Sequence, residues 1–129
     1  MPRVIHFEIH ADQPERAIAF YSGVFGWVFD RFKGDAPYWL VTTGAPGVPG
    51  IDGGMILRRG NRPEAMAAVN GYVCTIDVPD VDAYVAKVEA SGGTRAVEKT
   101  AIAKVGWLAY CKDPEGNLFG IMQADPEAA

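Results

Sequence analysis

An α+β fold made of two βαβββ modules is what the sequence predicts, and three observations carry it. One strand-like stretch, one helix-like stretch and three more strand-like stretches follow one another twice along the 129 residues, and an internal repeat of this kind decides an architecture. Each helical stretch is apolar along a single stripe, so each must cover one face of a sheet. The strand candidates alternate in character, which leaves each sheet a second face that no helix covers. Side by side, two such modules form a curved eight-stranded mixed sheet, a half-barrel cup with the helices on its outer face.

The first module opens on the alternating strand "VIHFEIHA". In "DQPERAIAFYSGVFGW", Asp12 is the expected N-cap, with Glu15 three positions on in the spacing of a capping box and Pro14 in the first turn. Ala17, Phe20, Tyr21 and Val24 recur at helical spacing as the expected buried stripe, and Gly26 stops the helix. "WVFDRF", "YWLVTTG" and "IDGGMILRR" read as strands, with the Gly/Pro loop "GAPGVPG" between the last two.

The second module repeats the order. "GYVCTIDV" is strand-like; then Asp80 caps a helix whose stripe is Val81, Tyr84, Val85 and Val88, ended by Gly92 and Gly93. "TRAVEK", "VGWLAYCKD" and "NLFGIMQ" supply three strands, and "DPEGN" is a turn by its own chemistry. Sliding the halves over each other pairs Trp39-Leu40 with Trp107-Leu108 and Gly54-Met55 with Gly120-Ile121. The expected layout is one domain over 1–129, with modules at 3–58 and 71–125. A linker over 59–70 joins them, with a short helical turn at Pro63 to Val69.

In "HFEIH" a period of two places His6, Glu8 and His10 on one face and Phe7 and Ile9 on the other. Phe7 and Ile9 suit the helix-covered face, so His6, Glu8 and His10 are expected to face the cup; His10, next to the helix start, reads as a surface group or as a support behind the groups that touch a ligand. A carboxylate in a cup must be paired, hydrated or shifted in pKa. Glu8 is therefore a candidate general base, or an anchor for a cationic or hydroxyl-bearing ligand. His6 reads equally as a ligand contact or as a hydrogen-bonded cavity histidine without chemistry. Trp39, Trp107 and Tyr110 are candidates to stack on a planar ligand, against the commoner reading of strand aromatics as core. Gly54 and Gly120 leave backbone open at the cavity wall, room for a ligand or for close strand packing.

The chain is mildly acidic, at net charge −4, and no basic patch interleaved with aromatics points to nucleic acid. "RRGNR", Arg58 to Arg62, reads as a solvated loop rather than an anion site. No signal peptide is expected, and no apolar run approaches the roughly 20 residues of a membrane span. Cys74 and Cys111 lack C-x-x-C spacing and read as buried free thiols of a cytoplasmic protein.

"HFEIHADQPERAIAFYSGVFGW" at the start and "GWLAYCKDPEGNLFGIMQ" at the end resemble the vicinal oxygen chelate superfamily of glyoxalases, bleomycin-resistance proteins and extradiol dioxygenases. More narrowly, the chain resembles a lactoylglutathione-lyase-related branch. The resemblance implies paired modules whose concave sheets enclose a metal or a ligand, and a homodimer. It also implies four metal-ligand positions, which fall here on His6, Gly54, Val73 (or Tyr72) and Gly120, so that only His6 is a ligand. His6 and Glu8, about 6.7 Å apart along a strand, can share one ion, but a catalytic site needs a third donor. The repeat pairs Asp77 with His10 as the acidic candidate for that place.

The expected function is therefore the binding of a small organic ligand by His6, Glu8, Trp39, Gly54, Trp107, Tyr110 and Gly120, with no cofactor. One alternative is a lyase, isomerase or dioxygenase using a divalent metal on His6 and Glu8; another is a non-catalytic interaction module.

Overall fold

The structure, a computed structural model, describes residues 2–129; Met1, the first residue of the expected 1–129 domain, lies outside the described residues. The elements are β1 (Val4–Ala11), α1 (Pro14–Phe25), β2 (Val28–Arg31), β3 (Tyr38–Thr42) and β4 (Gly53–Leu57), then β5 (Val73–Asp77), α2 (Val81–Ala90), β6 (Thr94–Ile102), β7 (Gly106–Lys112) and β8 (Leu118–Ala124). This is an α+β fold in which βαβββ occurs twice. Two compact units result: His6–Tyr72, and Val73–Ala129 together with the described residues of Met1–Ile5.

Within the first module, β2 pairs antiparallel with β3 and β3 with β4, while β4 lies parallel to β1. The second module has the same plan: β6 is antiparallel to β7 and β7 to β8, and β8 is parallel to β5. The parallel pair in each needs a crossover, which begins with the helix. The internal repeat is thus one of topology and of register. Glu8 pairs with Gly54 in one module as Thr75 pairs with Gly120 in the other.

Each module has its own core on the helix side of its sheet. Phe7, Ile9, Ala11, Val41 and Met55 form the first, with Ala17, Ile18 and Tyr21 of α1 packed against it. Val78, Val81, Val85, Ala109, Cys111 and Ile121 form the second. The stripe expected on α1 needs correction: Ala17 and Tyr21 do pack inward, but Phe20 and Val24 are exposed and Ile18 takes their part. Tyr21 stacks on Trp27 with centroids 5.2 Å apart and planes 2° from parallel. That aromatic pair draws the inward face round by one residue.

The α1 cap also differs from expectation. Gln13 is the N-cap and makes no side-chain capping bond, because Asp12 is engaged by Arg58, whose Nε donates to its Oδ1 at 2.9 Å. Gly26 ends the helix as expected, at φ +74° with its N–H returned to the Ser22 carbonyl. On α2 the sequence reading holds: Asp80 Oδ1 accepts from the Ala83 N–H at 3.0 Å. Asp80→Ala should cost about 1 kcal/mol, read as a midpoint shift in urea unfolding with an unchanged slope.

Two smaller expectations fail. Pro63 to Val69 forms no helix; a turn closed by the Ala67 N–H on the Glu64 carbonyl stands there. Both cysteines are free, but Cys74 is exposed and only Cys111 is buried. Among the described residues no helix is long and apolar enough to cross a membrane.

Candidate functional site

The side chains of interest lie on the first module's other face. Phe7, Ile9 and Ala11 are spent on the core, so the alternation of β1 turns His6, Glu8 and His10 away from α1. The register then fixes their company. Glu8 stands beside Gly54 and His10 beside Ile56 on β4, and on β3 Leu40 faces Gly54 while Tyr38 faces Ile56. Same-face residues diagonal to one another remain within reach of an aromatic ring, and Tyr38 uses that reach.

Gly54 is where the phenol of Tyr38 lies. A Cβ at position 54 would collide with the Tyr38 hydroxyl and stand 2.5 Å from Cζ and 3.1 Å from Cε2. Glycine is required here for close approach, not for its backbone angles. So seated, the Tyr38 hydroxyl pairs with His6 Nε2 at 3.4 Å. Glu8 is 7% exposed, with its Oε1 3.7 Å from His10 Nε2.

Burial holds the His6 imidazole below its ordinary pKa, and the nearby Glu8 carboxylate offsets this in part. The Tyr38 phenol is pushed up to about 12, chiefly by burial and further by Glu8. At neutral pH the face therefore presents a neutral imidazole and a protonated phenol beside an acid. Glu8→Gln should lower the His6 pKa further and bring the Tyr38 pKa down. Histidine NMR titration and phenolate absorbance report the two shifts separately.

Of the residues expected from sequence, His6, Glu8 and Gly54 come together. Trp39 does not join them: it packs on the helix-side core, with the Arg31 guanidinium 5.2 Å from its ring centre. Trp107 likewise packs against the second module's core, and its Nε1–H donates to Asp125 Oδ2 at 2.9 Å. Strand phase decides both, since Val41 and Ala109 are core residues and Trp39 and Trp107 sit two positions from them. In the second module Tyr110 lies directly across from Gly120, where a Cβ would meet Thr75 Oγ1 at 3.0 Å and Tyr110 Cε1 at 3.4 Å. Sequence reasoning missed Tyr38. Its signal was available: it is the aromatic in phase with Leu40, on the strand that pairs with a glycine.

A divalent metal does not fit these residues. Among the described residues no group of three His, Cys, Asp or Glu side chains could hold an ion. The space a ligand side chain at position 54 would occupy is filled by the Tyr38 phenol.

A family model described as a glyoxalase-like domain matches residues 6–122. "Putative glyoxylase CFP32" of Mycobacterium bovis, and the protein of the same name in Mycobacterium tuberculosis, are 30% identical over 122 residues, which is 93% of this chain and 43% of theirs. The chain thus spans less than half the length of the curated relatives it matches. Methylmalonyl-CoA epimerase from Mycobacterium tuberculosis superposes with TM-score 0.63 at 16% identity, over 95% of this chain and 88% of that one. A glyoxalase/bleomycin resistance protein/dioxygenase superfamily member from Vibrio splendidus gives 0.63 at 18%, over 97% and 100%. These two likenesses are of fold.

Proposed function

The chain belongs to the glyoxalase-like domain family, and on that premise we propose that its first module binds a small hydroxyl- or amine-bearing organic molecule through His6, Glu8 and Tyr38, without the metal of the wider superfamily. The observation that supports this reading is the seating of the Tyr38 phenol on Gly54. It sets a fixed hydroxyl beside an imidazole at the position where the superfamily resemblance implies a metal ligand.

The chemistry offered is recognition by hydrogen bonds. His6 and Tyr38 are partly buried and Glu8 is the most enclosed of the three, so an entering molecule meets the imidazole and phenol first and the carboxylate last. A carboxylate accepts from hydroxyl or ammonium donors, and such charge-assisted bonds are the stronger class. A ligand that lacks one of the matching groups forfeits a hydrogen bond in an enclosed place, which is how a site of this kind discriminates.

A thermal-shift screen of small polyols, amines and amino alcohols tests it, since a ligand of the native state raises stability. Compounds that stabilise the parent protein should lose their effect in both Glu8→Gln and Tyr38→Phe. Stabilisation that survives both substitutions, or its absence across the screen, would refute the reading.

A further inference from the structure

We propose that the first module has a second binding site, on the helix side of its sheet, for a small anion bearing a flat apolar group such as an aryl phosphate. The site is a cavity of about 320 Å³ where the end of β1, the first turns of α1 and the segment after β4 meet. That volume lies at the lower end of what small-ligand pockets need. None of His6, Glu8 and Tyr38 lines it; His10, whose Nε2 lies 3.7 Å from Glu8 Oε1, is the residue that stands between the two places.

Charge gives the ligand its sign. Arg16, Arg58 and Arg62 line the cavity and Asp12 is the one acid among its walls. A positive hollow in a chain of net charge −4 is a local concentration of charge that composition hides. Arg58 is committed: its Nε donates to Asp12 at 2.9 Å and its Nη2 to the His10 carbonyl at 3.2 Å. That clamp neutralises Asp12 and ties the segment after β4 to the end of β1. Arg16 and Arg62 make no ion pair among the described residues. Two guanidiniums thus remain to take an anion, and their planar forks suit phosphate or carboxylate.

The aromatic walls supply the second half of the preference. Tyr21 lines the cavity and is held by its stack on Trp27 and by a hydroxyl bond from Tyr72 at 2.9 Å. Phe20, also in the wall, is 56% exposed although it belongs to a helix that packs on a core. A ring set on Phe20 would cover apolar surface that the fold leaves wet. The segment that carries Arg58 and Arg62, read from sequence as a solvated loop, thereby gains a second use.

Isothermal titration of the full chain with phenyl phosphate and with inorganic phosphate at low salt tests the site. Phenyl phosphate should bind saturably and about ten-fold or more tighter than inorganic phosphate. Arg16→Gln with Arg62→Gln should weaken it by about ten-fold or more, and Lys99→Gln, a charge loss in the second module, should leave it unchanged. Both arginines are exposed, so the double variant should keep the parent's circular dichroism, and Arg62→Lys should retain part of the affinity. Absence of saturable binding, equal affinity for the two phosphates, or binding indifferent to the double substitution would overturn the site. Because none of His6, Glu8 and Tyr38 lines this cavity, failure of phenyl phosphate to bind and failure of the polyol and amine screen are told apart.

Discussion

Gly54→Val should destabilise the protein by about 1–3 kcal/mol and break the pairing of Tyr38 with His6, and most of that cost should vanish when Tyr38 is alanine. A side chain at position 54 must take the volume where the phenol lies, 2.5 Å from Cζ and 3.1 Å from Cε2. Either the ring is expelled, losing its bond to His6 Nε2, or the strands part. Tyr38→Ala removes the obstacle beforehand. The double-mutant cycle should therefore show a favourable coupling of about 1–2 kcal/mol, measured by denaturant unfolding. Additive costs would mean that the ring does not rest on Gly54. Gly53 next door is the built-in contrast, because a Cβ there meets the Phe7 carbonyl oxygen at 2.5 Å and the Phe7 ring at 2.8 Å. Backbone cannot be deleted, so Gly53→Ala should find no comparable partner whose truncation rescues it.

The same pair of glycines shows what a sequence can and cannot say about a site of this kind. That Gly54 and Gly120 are equivalent follows from the repeat, and the register bears it out; that Glu8 stands beside Gly54 is a matter of strand pairing, which the structure supplies. The occupant of the space above Gly54 is a matter of a diagonal contact between strands, which neither period nor composition encodes. Trp39 drew attention as the larger ring, yet Val41 two residues on is 1% exposed and fixes that phase toward the core. The phase leaves Tyr38 for the open face. On α1, helical spacing admits two adjacent stripes, one through Phe20 and Val24 and one through Ile18 and Tyr21. The stack of Tyr21 on Trp27, a residue beyond the helix, selects the second. Asp12 is similar: its capping chemistry is local, and a guanidinium forty-six positions away outcompetes it. The alternation of the strands was legible, whereas the choice between helix stripes and the contacts made across strands were not.

Met55→Ala should produce the larger loss of stability, about 2–5 kcal/mol, while Met55→Leu should cost less than about 1.5 kcal/mol. Met55 is wholly buried, paired with Ile9 on one side and with Trp39 on the other. Its thioether lies on the helix side of the strand whose preceding residue, Gly54, carries the phenol on the opposite face. Truncation leaves a void that α1 is poorly placed to fill, because the helix has no buried residue of its own and meets this core only through partly buried side chains. Leucine keeps the volume, so the core should close around it. The substitutions also separate the two faces of β4. Met55→Ala should lower the unfolding midpoint while the Tyr38 absorbance titration stays at its high pKa, because the phenol's burial and its neighbour Glu8 are on the far side of the strand. A Tyr38 pKa that falls with Met55→Ala would show instead that the ligand face has no rigidity of its own and is held in place by the core behind it.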